Sequence, residues 1–245
     1  RPGGHSNTVL IPNDDSFIPV DTGFIVYNEV NYPNLTKLFD YIEVPTIKSE
    51  MSFSVSDSAK KFEYGGNSLN SLFAQRKNLI RPKFWHMIKD ILRFYRQTPR
   101  DLESGSLGNI TLGDYLYAMK YGDEFIYHHI LPMGAAIWSS SISQITEYPA
   151  HLFVKFFLNH GLLSIRNRPK WRTVSGGSQK YVERLIAPFV RALNFNEVIN
   201  VNRGKQKIEI CDKSGDKNQF DHVIFATHAD SILELISDSD VQEQK

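Results

Sequence analysis

Asp221-His222-Val223-Ile224-Phe225-Ala226-Thr227 is the stretch on which the reading of the fold turns. Its centre is continuously apolar rather than alternating, and a strand of that kind is buried on both faces, as in a parallel sheet covered by helices. Upstream, Val198 to Asn202 and Lys207 to Cys211 read as two strands, and Gln219 to Thr227 as a third, with Arg203-Gly204-Lys205 and Lys213-Ser214-Gly215-Asp216 as the turns. Before them Val182, Leu185, Ile186, Phe189, Val190 and Leu193 keep helical spacing, with Ser178 at the N-cap position and Pro188 expected to kink the run. A helix, a β-meander and a buried strand in this order predict an α/β arrangement with a ligand edge at the Ala226-Thr227 end. An ordinary α/β domain with no ligand there fits the same pattern.

Outward from this region the grammar changes. From Ser71 to Pro169 the spacing is mostly helical, with amphipathic stretches at Phe84 to Tyr95, Leu112 to Lys120, Phe125 to Leu131 and Ala150 to Leu158. Pro132, Pro149 and Pro169 punctuate it, and Gly134 and Gly161 are expected to end helices. Met51 to Val55 and Lys61 to Tyr64 alternate like strands, and Leu35, Leu38, Phe39 and Ile42 follow Pro33 at helical spacing. Ser6 to Ile11 and Phe17 to Val20 predict a hairpin turning at Pro12-Asn13-Asp14-Asp15.

Composition places the chain among globular proteins, at 41% hydrophobic and 22% charged residues. A net charge of +1 supplies no global field to draw nucleic acid, so none is expected as a partner. The single Cys211 precludes an internal disulfide and a cysteine-based zinc cluster. No apolar run approaches the roughly 20 residues that cross a bilayer, and no secretory leader is legible, which makes a cytoplasmic location the expectation.

Two short motifs bear on chemistry. In Arg1-x-Gly3-Gly4 the adjacent glycines let backbone approach a phosphate or ribose with no Cβ between, although such pairs also serve simply as turns. Val20-Asp21-Thr22-Gly23-Phe24 contains the Asp-Thr-Gly of an aspartic protease, but that chemistry needs two carboxylates sharing a proton. No second Asp-Thr/Ser-Gly occurs, and the helical middle is foreign to such folds.

Taken in order, Arg1-x-Gly3-Gly4, Val20-Asp21-Thr22-Gly23-Phe24-Ile25-Val26-Tyr27-Asn28, Ser68 to Arg76, Leu131-Pro132-Met133-Gly134-Ala135-Ala136-Ile137-Trp138-Ser139, Asn159-His160-Gly161-Leu162-Leu163, Trp171-Arg172-Thr173-Val174-x-Gly176-Gly177-Ser178, Val198-x-x-Val201 and Val223-Ile224-Phe225-Ala226-Thr227-His228-Ala229-Asp230 resemble the landmarks of the flavin-containing amine oxidoreductases. The match is closest to the bacterial NAD/FAD-binding amine-oxidase-like group, and it covers essentially the whole chain.

The resemblance implies an α/β fold: part of an FAD-binding, doubly wound Rossmann-like domain with a β-meander, plus a largely helical substrate domain. It places residues 1–26 and 171–245 in the FAD domain and 27–170 in the substrate domain. Arg1, Gly3 and Gly4 then line the ribose and pyrophosphate of FAD, Gly23 and Phe24 the isoalloxazine, Val198 the adenine, and Ala226 and Thr227 the cofactor-facing strand end. His5 stands where many relatives carry Arg. The family's Gly-x-Gly-x-x-Gly unit and its C-terminal Gly-Asp segment are missing from the sequence, so a fragment with an incomplete FAD cradle is expected.

Tyr27, Trp138, His160, Trp171 and Arg172 are the candidate substrate pocket, because flavin pockets use aromatic walls and a few polar groups. Each also suits plain core. No catalytic residue is assigned, since the cofactor carries the redox step, and His128-His129 lacks a second ligand pair for a metal. The implied activity is FAD-dependent oxidation of a small amine, or desaturation, saturation or isomerisation of a lipid-like C–C bond. The alternative is a non-catalytic lipid- or partner-binding fragment. Residues 75–97 carry seven cations against Asp90 alone, interleaved with Phe84, Trp85, Ile88, Ile91, Leu92 and Phe94. That pattern reads either as an interfacial membrane anchor or as a solvated helix packed on its own domain.

Overall fold

The computed structural model describes residues 1–59, 61–165 and 168–244. The chain is mixed helix and sheet and divides into two compact units, one of Gly3–Leu185 and one of Ile186–Lys245 with Arg1–Pro2.

The larger unit opens with a hairpin of β1 (Thr8–Asn13) and β2 (Ser16–Asp21). Pairing runs up to Asn13 opposite Ser16, so the turn is only Asp14-Asp15 and tighter than the sequence suggests. Asp14 supports it by taking φ 47°, a left-handed conformation that aspartate tolerates. Then follow β3 (Tyr27–Asn28), α1 (Pro33–Tyr41), β4 (Thr46–Ser49), the paired β5 (Ser54–Asp57) and β6 (Phe62–Gly65), and the one-turn α2 (Leu69–Leu72). The helical half comprises α3 (Pro82–Glu103), α4 (Leu112–Ala118), α5 (Asp123–Phe125), a π-helical turn Ile126–Ile130, α6 (Leu131–Trp138), α7 (Ile142–Thr146) and α8 (Ala150–Asn159). It closes with β7 (Trp171–Val174) and α9 (Gln179–Ile186).

Local chemistry explains many boundaries. Pro33 and Pro82 start α1 and α3, where a missing N–H costs nothing. The Thr111 hydroxyl accepts from Asp114 N at the head of α4, and Ser141 with Gln144 forms a capping box for α7. Gly161, at φ 66°, follows the end of α8. Gly134 does the opposite of what its sequence position suggests: it lies inside α6, where an added Cβ would come within 2.9 Å of both Ile145 and Phe153. Its small size serves helix packing rather than termination.

The helices enclose a core in which Phe84, Phe94, Leu116, Phe125, Phe153 and Phe157 are fully buried. The π-helical turn carries His128 and His129 into that core. Tyr64 Oη donates to His128 O at 2.9 Å and accepts from His129 Nδ1 at 2.8 Å, and Tyr95 Oη lies 3.4 Å from His129 Nε2. Burial pushes the His129 pKa down to about 3.

A second, smaller core of Tyr27, Phe39, Val44 and Val174 lies beneath a three-stranded antiparallel sheet in the order β3-β7-β4. This sheet is not legible from alternation, because two- and four-residue strands are too short to show a period.

In the other unit, β8 (Val198–Arg203), β9 (Ile208–Asp212) and β10 (Lys217–Phe220) form an antiparallel meander whose first two strands are those expected and whose third ends at Phe220 instead of running from Gln219 to Thr227; the one-turn α10 (Ile232–Leu235) follows. Asp212 ties the β9–β10 turn by accepting from Ser214 N and Asp216 N, while Arg203 holds Asp238 and Glu243. The run 221–227 corrects the opening expectation. It is not a strand, and Ile224 is 92% exposed. A doubly buried strand needs a hydrogen-bonded neighbour on each edge, and none of the described strands pairs with this run.

Candidate functional site

The stretch that begins at Gly3-Gly4 and the Asp21-Thr22-Gly23-Phe24 turn, separate in sequence, meet in the fold. Ser6 N donates to Gly3 O at 2.8 Å, Thr22 N to Asn7 O at 2.9 Å, and Phe24 N to His5 O at 2.8 Å. Gly23 sits so close to this strand that a Cβ would lie 2.0 Å from the His5 carbonyl oxygen. Gly3 has φ 109° and would push a Cβ to 2.9 Å from Ser6 O, whereas Gly4, at φ 52°, has nothing within 4 Å of its Cβ direction. The result is a ledge of closely packed main chain, covered by Val182 at Gly3 and open at Gly4. Such a ledge fits a flat or phosphate-bearing group that needs close approach to main chain.

The ledge is fixed from below by Asp21. Its carboxylate accepts from Thr8 Oγ1 at 2.6 Å and from the Ser178 backbone nitrogen and hydroxyl. Thr8 Oγ1 in turn accepts from Gln179 N at 3.0 Å. The first turn of α9 is therefore capped by side chains from the hairpin, and Ser178 donates to a carboxylate instead of capping its own helix. The sequence offered no sign of this pairing, because capping chemistry is usually local. Gly177, at φ 95°, makes it possible, since its Cβ would fall 2.4 Å from Thr8 Cγ2. The Ser6 and Tyr181 hydroxyls hydrogen-bond, and Phe24 packs edge-on against the Tyr181 ring at 6.1 Å.

Of the eight sequence-derived cofactor positions, Gly3, Gly4, Gly23 and Phe24 thus share one ledge in the larger unit. Arg1, Val198, Ala226 and Thr227 belong to the other unit. There Val198 stands at the start of β8, and Ala226 and Thr227 are exposed outside any strand.

The five sequence-derived pocket residues are related through β7 and α8. His160 stacks on Phe156 at 4.0 Å between ring centroids and lies parallel to Trp171 at 6.4 Å, while Trp138 packs on Phe156 at 4.9 Å. His160 Nδ1 donates to Phe156 O at 2.9 Å, which leaves Nε2 as the acceptor 3.4 Å from the Tyr32 hydroxyl. Trp138, Phe156, His160 and Trp171 form one aromatic ladder. Arg172 pairs in register with Tyr27, and its guanidinium donates to Thr46 Oγ1 at 2.7 Å and lies 3.6 Å from Glu29. Tyr27 is fully buried against Phe39, so its place is in the core. Asn28, which the sequence did not single out, is completely buried opposite Trp171, and its Nδ2 has no hydrogen-bond partner among the described residues.

A separate cavity of about 630 Å³ lies against α4 and the π-helical turn, lined by residues including Leu116, Tyr117, Tyr121 and Tyr127. It contains none of the five. Among the described residues no cluster of three or more His, Cys, Asp or Glu side chains is placed to hold a metal, and no helix is long and apolar enough to cross a membrane.

No family model and no curated protein matches the sequence. Solved structures do match in fold. A putrescine oxidase with bound putrescine superposes with a TM-score of 0.67 at 14% identity over 100% of this chain and 55% of its own. Cyclohexylamine oxidase from Brevibacterium oxydans gives 0.56 at 12% identity, over 89% of this chain and 49% of its own. A fatty acid isomerase from P. acnes that produces CLA gives 0.52 at 14%, over 99% and 54%. The chain spans about half the length of these proteins, and at such identities it is their fold that it shares.

Proposed function

We propose that this chain forms the substrate-side and outer cofactor-side parts of an FAD-dependent oxidoreductase of amine-oxidase type. The observation that carries this reading is the meeting of the Gly3-Gly4 and Gly23-Phe24 turns on one ledge open at Gly4, in a fold like that of two amine oxidases and a fatty acid isomerase. FAD, when bound, would supply the redox chemistry as a hydride acceptor.

The chain's own residues position and enclose. Gly4 admits the cofactor to main-chain distance, Gly3 and Gly23 let the two turns pack against Ser6 and His5 beneath it, and Phe24 braces the ledge through Tyr27 and Tyr181. The ladder of Trp138, Phe156, His160 and Trp171 offers an aromatic wall that keeps water from a substrate, with His160 Nε2 and the Tyr32 hydroxyl as its polar edge. Arg172, held by Thr46 and Glu29, orients the strand that carries Trp171. Substrates of this reading are a small amine or a lipid-like molecule oxidised, reduced or isomerised at a C–C bond.

The test is a visible spectrum and a flavin assay on the protein produced from its native reading frame. Flavin absorbance that co-purifies, or that appears on adding FAD, supports the proposal. A colourless protein that takes up no FAD favours non-catalytic binding of a lipid or partner instead.

A further inference from the structure

We propose that the outer face of α3, with the 3₁₀ turn Arg76–Ile80 before it, is a docking surface for an anionic lipid bilayer. The proposal does not depend on the flavin reading.

The helix sorts its residues strongly. Phe84, Met87, Phe94 and Thr98 are buried in the core. Trp85, Lys89, Leu92, Arg96 and Arg100 recur at i, i+4, i+7, i+11 and i+15, which puts them on one stripe, and all five are exposed. Trp85 is 47% and Leu92 42% exposed, where a solvated face would carry polar residues. At the N-terminal end of the stripe the 3₁₀ turn adds Leu79 and Ile80, the latter 84% exposed. Trp85 Nε1 donates to Leu79 O at 2.9 Å and its ring lies 5.5 Å from Phe73, so the apolar tip is braced rather than loose.

The charges are sorted as well. The two aspartates of the helix are engaged with neighbouring elements: Asp90 accepts from Gly122 N and pairs with Arg93, and Asp101 accepts from Gln97 and the Tyr115 hydroxyl. Lys83 is paired with Glu124. Lys89, Arg96, Arg100 and the preceding Lys77 form no ion pair among the described residues, and the exposed Glu103 ends the helix at the far end of the stripe. An indole and aliphatic tips among unpaired cations match a bilayer interface on both counts, since indoles settle at the headgroup level and cations are drawn to anionic lipid. Neither signal suffices alone, because stable peripheral binding takes two.

Vesicle flotation of the full chain tests this, with phosphatidylcholine alone against phosphatidylcholine mixed with phosphatidylglycerol. The protein is expected to float with the anionic vesicles only, and less so as salt is raised. Lys89→Gln and Arg96→Gln should each lower the partition coefficient about fivefold. Lys205→Gln, at the β8–β9 turn, should not. Brominated lipid should quench tryptophan emission in the native protein and fail to do so in Trp85→Phe, with far-ultraviolet circular dichroism of both proteins checking that the fold is kept. No flotation, equal flotation on both compositions, or an effect of Lys205→Gln as large as that of Lys89→Gln would each overturn the proposal.

Discussion

Asp21 Oδ1 lies 2.8 Å from the backbone nitrogen of Ser178 and 2.9 Å from its hydroxyl, joining residues 157 positions apart. This contact anchors the glycine ledge to α9 and gives the Asp-Thr-Gly motif a structural role. Asp21→Ala removes the acceptor of three donors in a partly buried site. It should cost about 1–3 kcal/mol in urea unfolding, and Thr8→Val on top of it should be clearly less than additive. Unchanged stability in Asp21→Ala would show that the clamp is dispensable.

The two ends of the ledge should respond differently to a methyl group. Gly23→Ala meets the His5 carbonyl oxygen and should destabilise by about 1–3 kcal/mol, as overpacking does. Gly4→Ala enters open space and bears only its unfavourable φ, which costs about 1 kcal/mol, yet it stands where a ligand would approach. Denaturation midpoints of both variants give the contrast directly, and equal losses would contradict the geometry.

His129 makes stability depend on pH. Its folded pKa is lowered to about 3 by burial, so the unfolded chain binds the proton that the folded one refuses. The associated stability is complete above the ordinary histidine pKa of about 6.5 and falls as pH drops toward 3. Between pH 8 and pH 5 the loss amounts to about 2 kcal/mol. Unfolding curves for the native protein and His129→Phe at these two pH values should differ in slope by that amount; parallel behaviour would mean that His129 takes up its proton without unfolding.

Gly134 offers a packing test that the sequence pointed away from. Gly134→Val would drive two methyls into Ile145 and Phe153, so a melting temperature lowered by several degrees is expected. An unaltered melt would mean that α6 and α7 can separate without cost.

Long periodic segments were the legible part of the fold. The spacing that predicts a helix at Phe84 to Tyr95 and another at Ala150 to Leu158 is produced by the same side chains that fill the core, so pattern and packing coincide. The β-meander after Val198 was readable from its turns. The sheet of Tyr27–Asn28, Trp171–Val174 and Thr46–Ser49 was not, because its strands are too short and its pairings span more than a hundred residues. The continuous apolar run at Val223 to Ala226 shows the limit of composition: a run specifies burial only where a partner strand lies beside it. At the site, glycines at positions 3, 4 and 23 stood out as turn residues, but that Gly23 lies against His5 is a property of the fold alone. The aromatic ladder joining Trp138 to Trp171 was foreshadowed by its residue types and not by their spacing.

The central claim is that the glycine ledge receives a flavin. Equilibrium titration of FAD into the protein from its native reading frame, followed by flavin fluorescence, tests it most directly when repeated with Gly4→Val. The account predicts saturable binding that Gly4→Val weakens at least tenfold when measured where both proteins are folded, its unfolding midpoint being lowered only by the strain of a branched residue in left-handed backbone. Absence of FAD binding, or binding that Gly4→Val leaves unchanged, would contradict it.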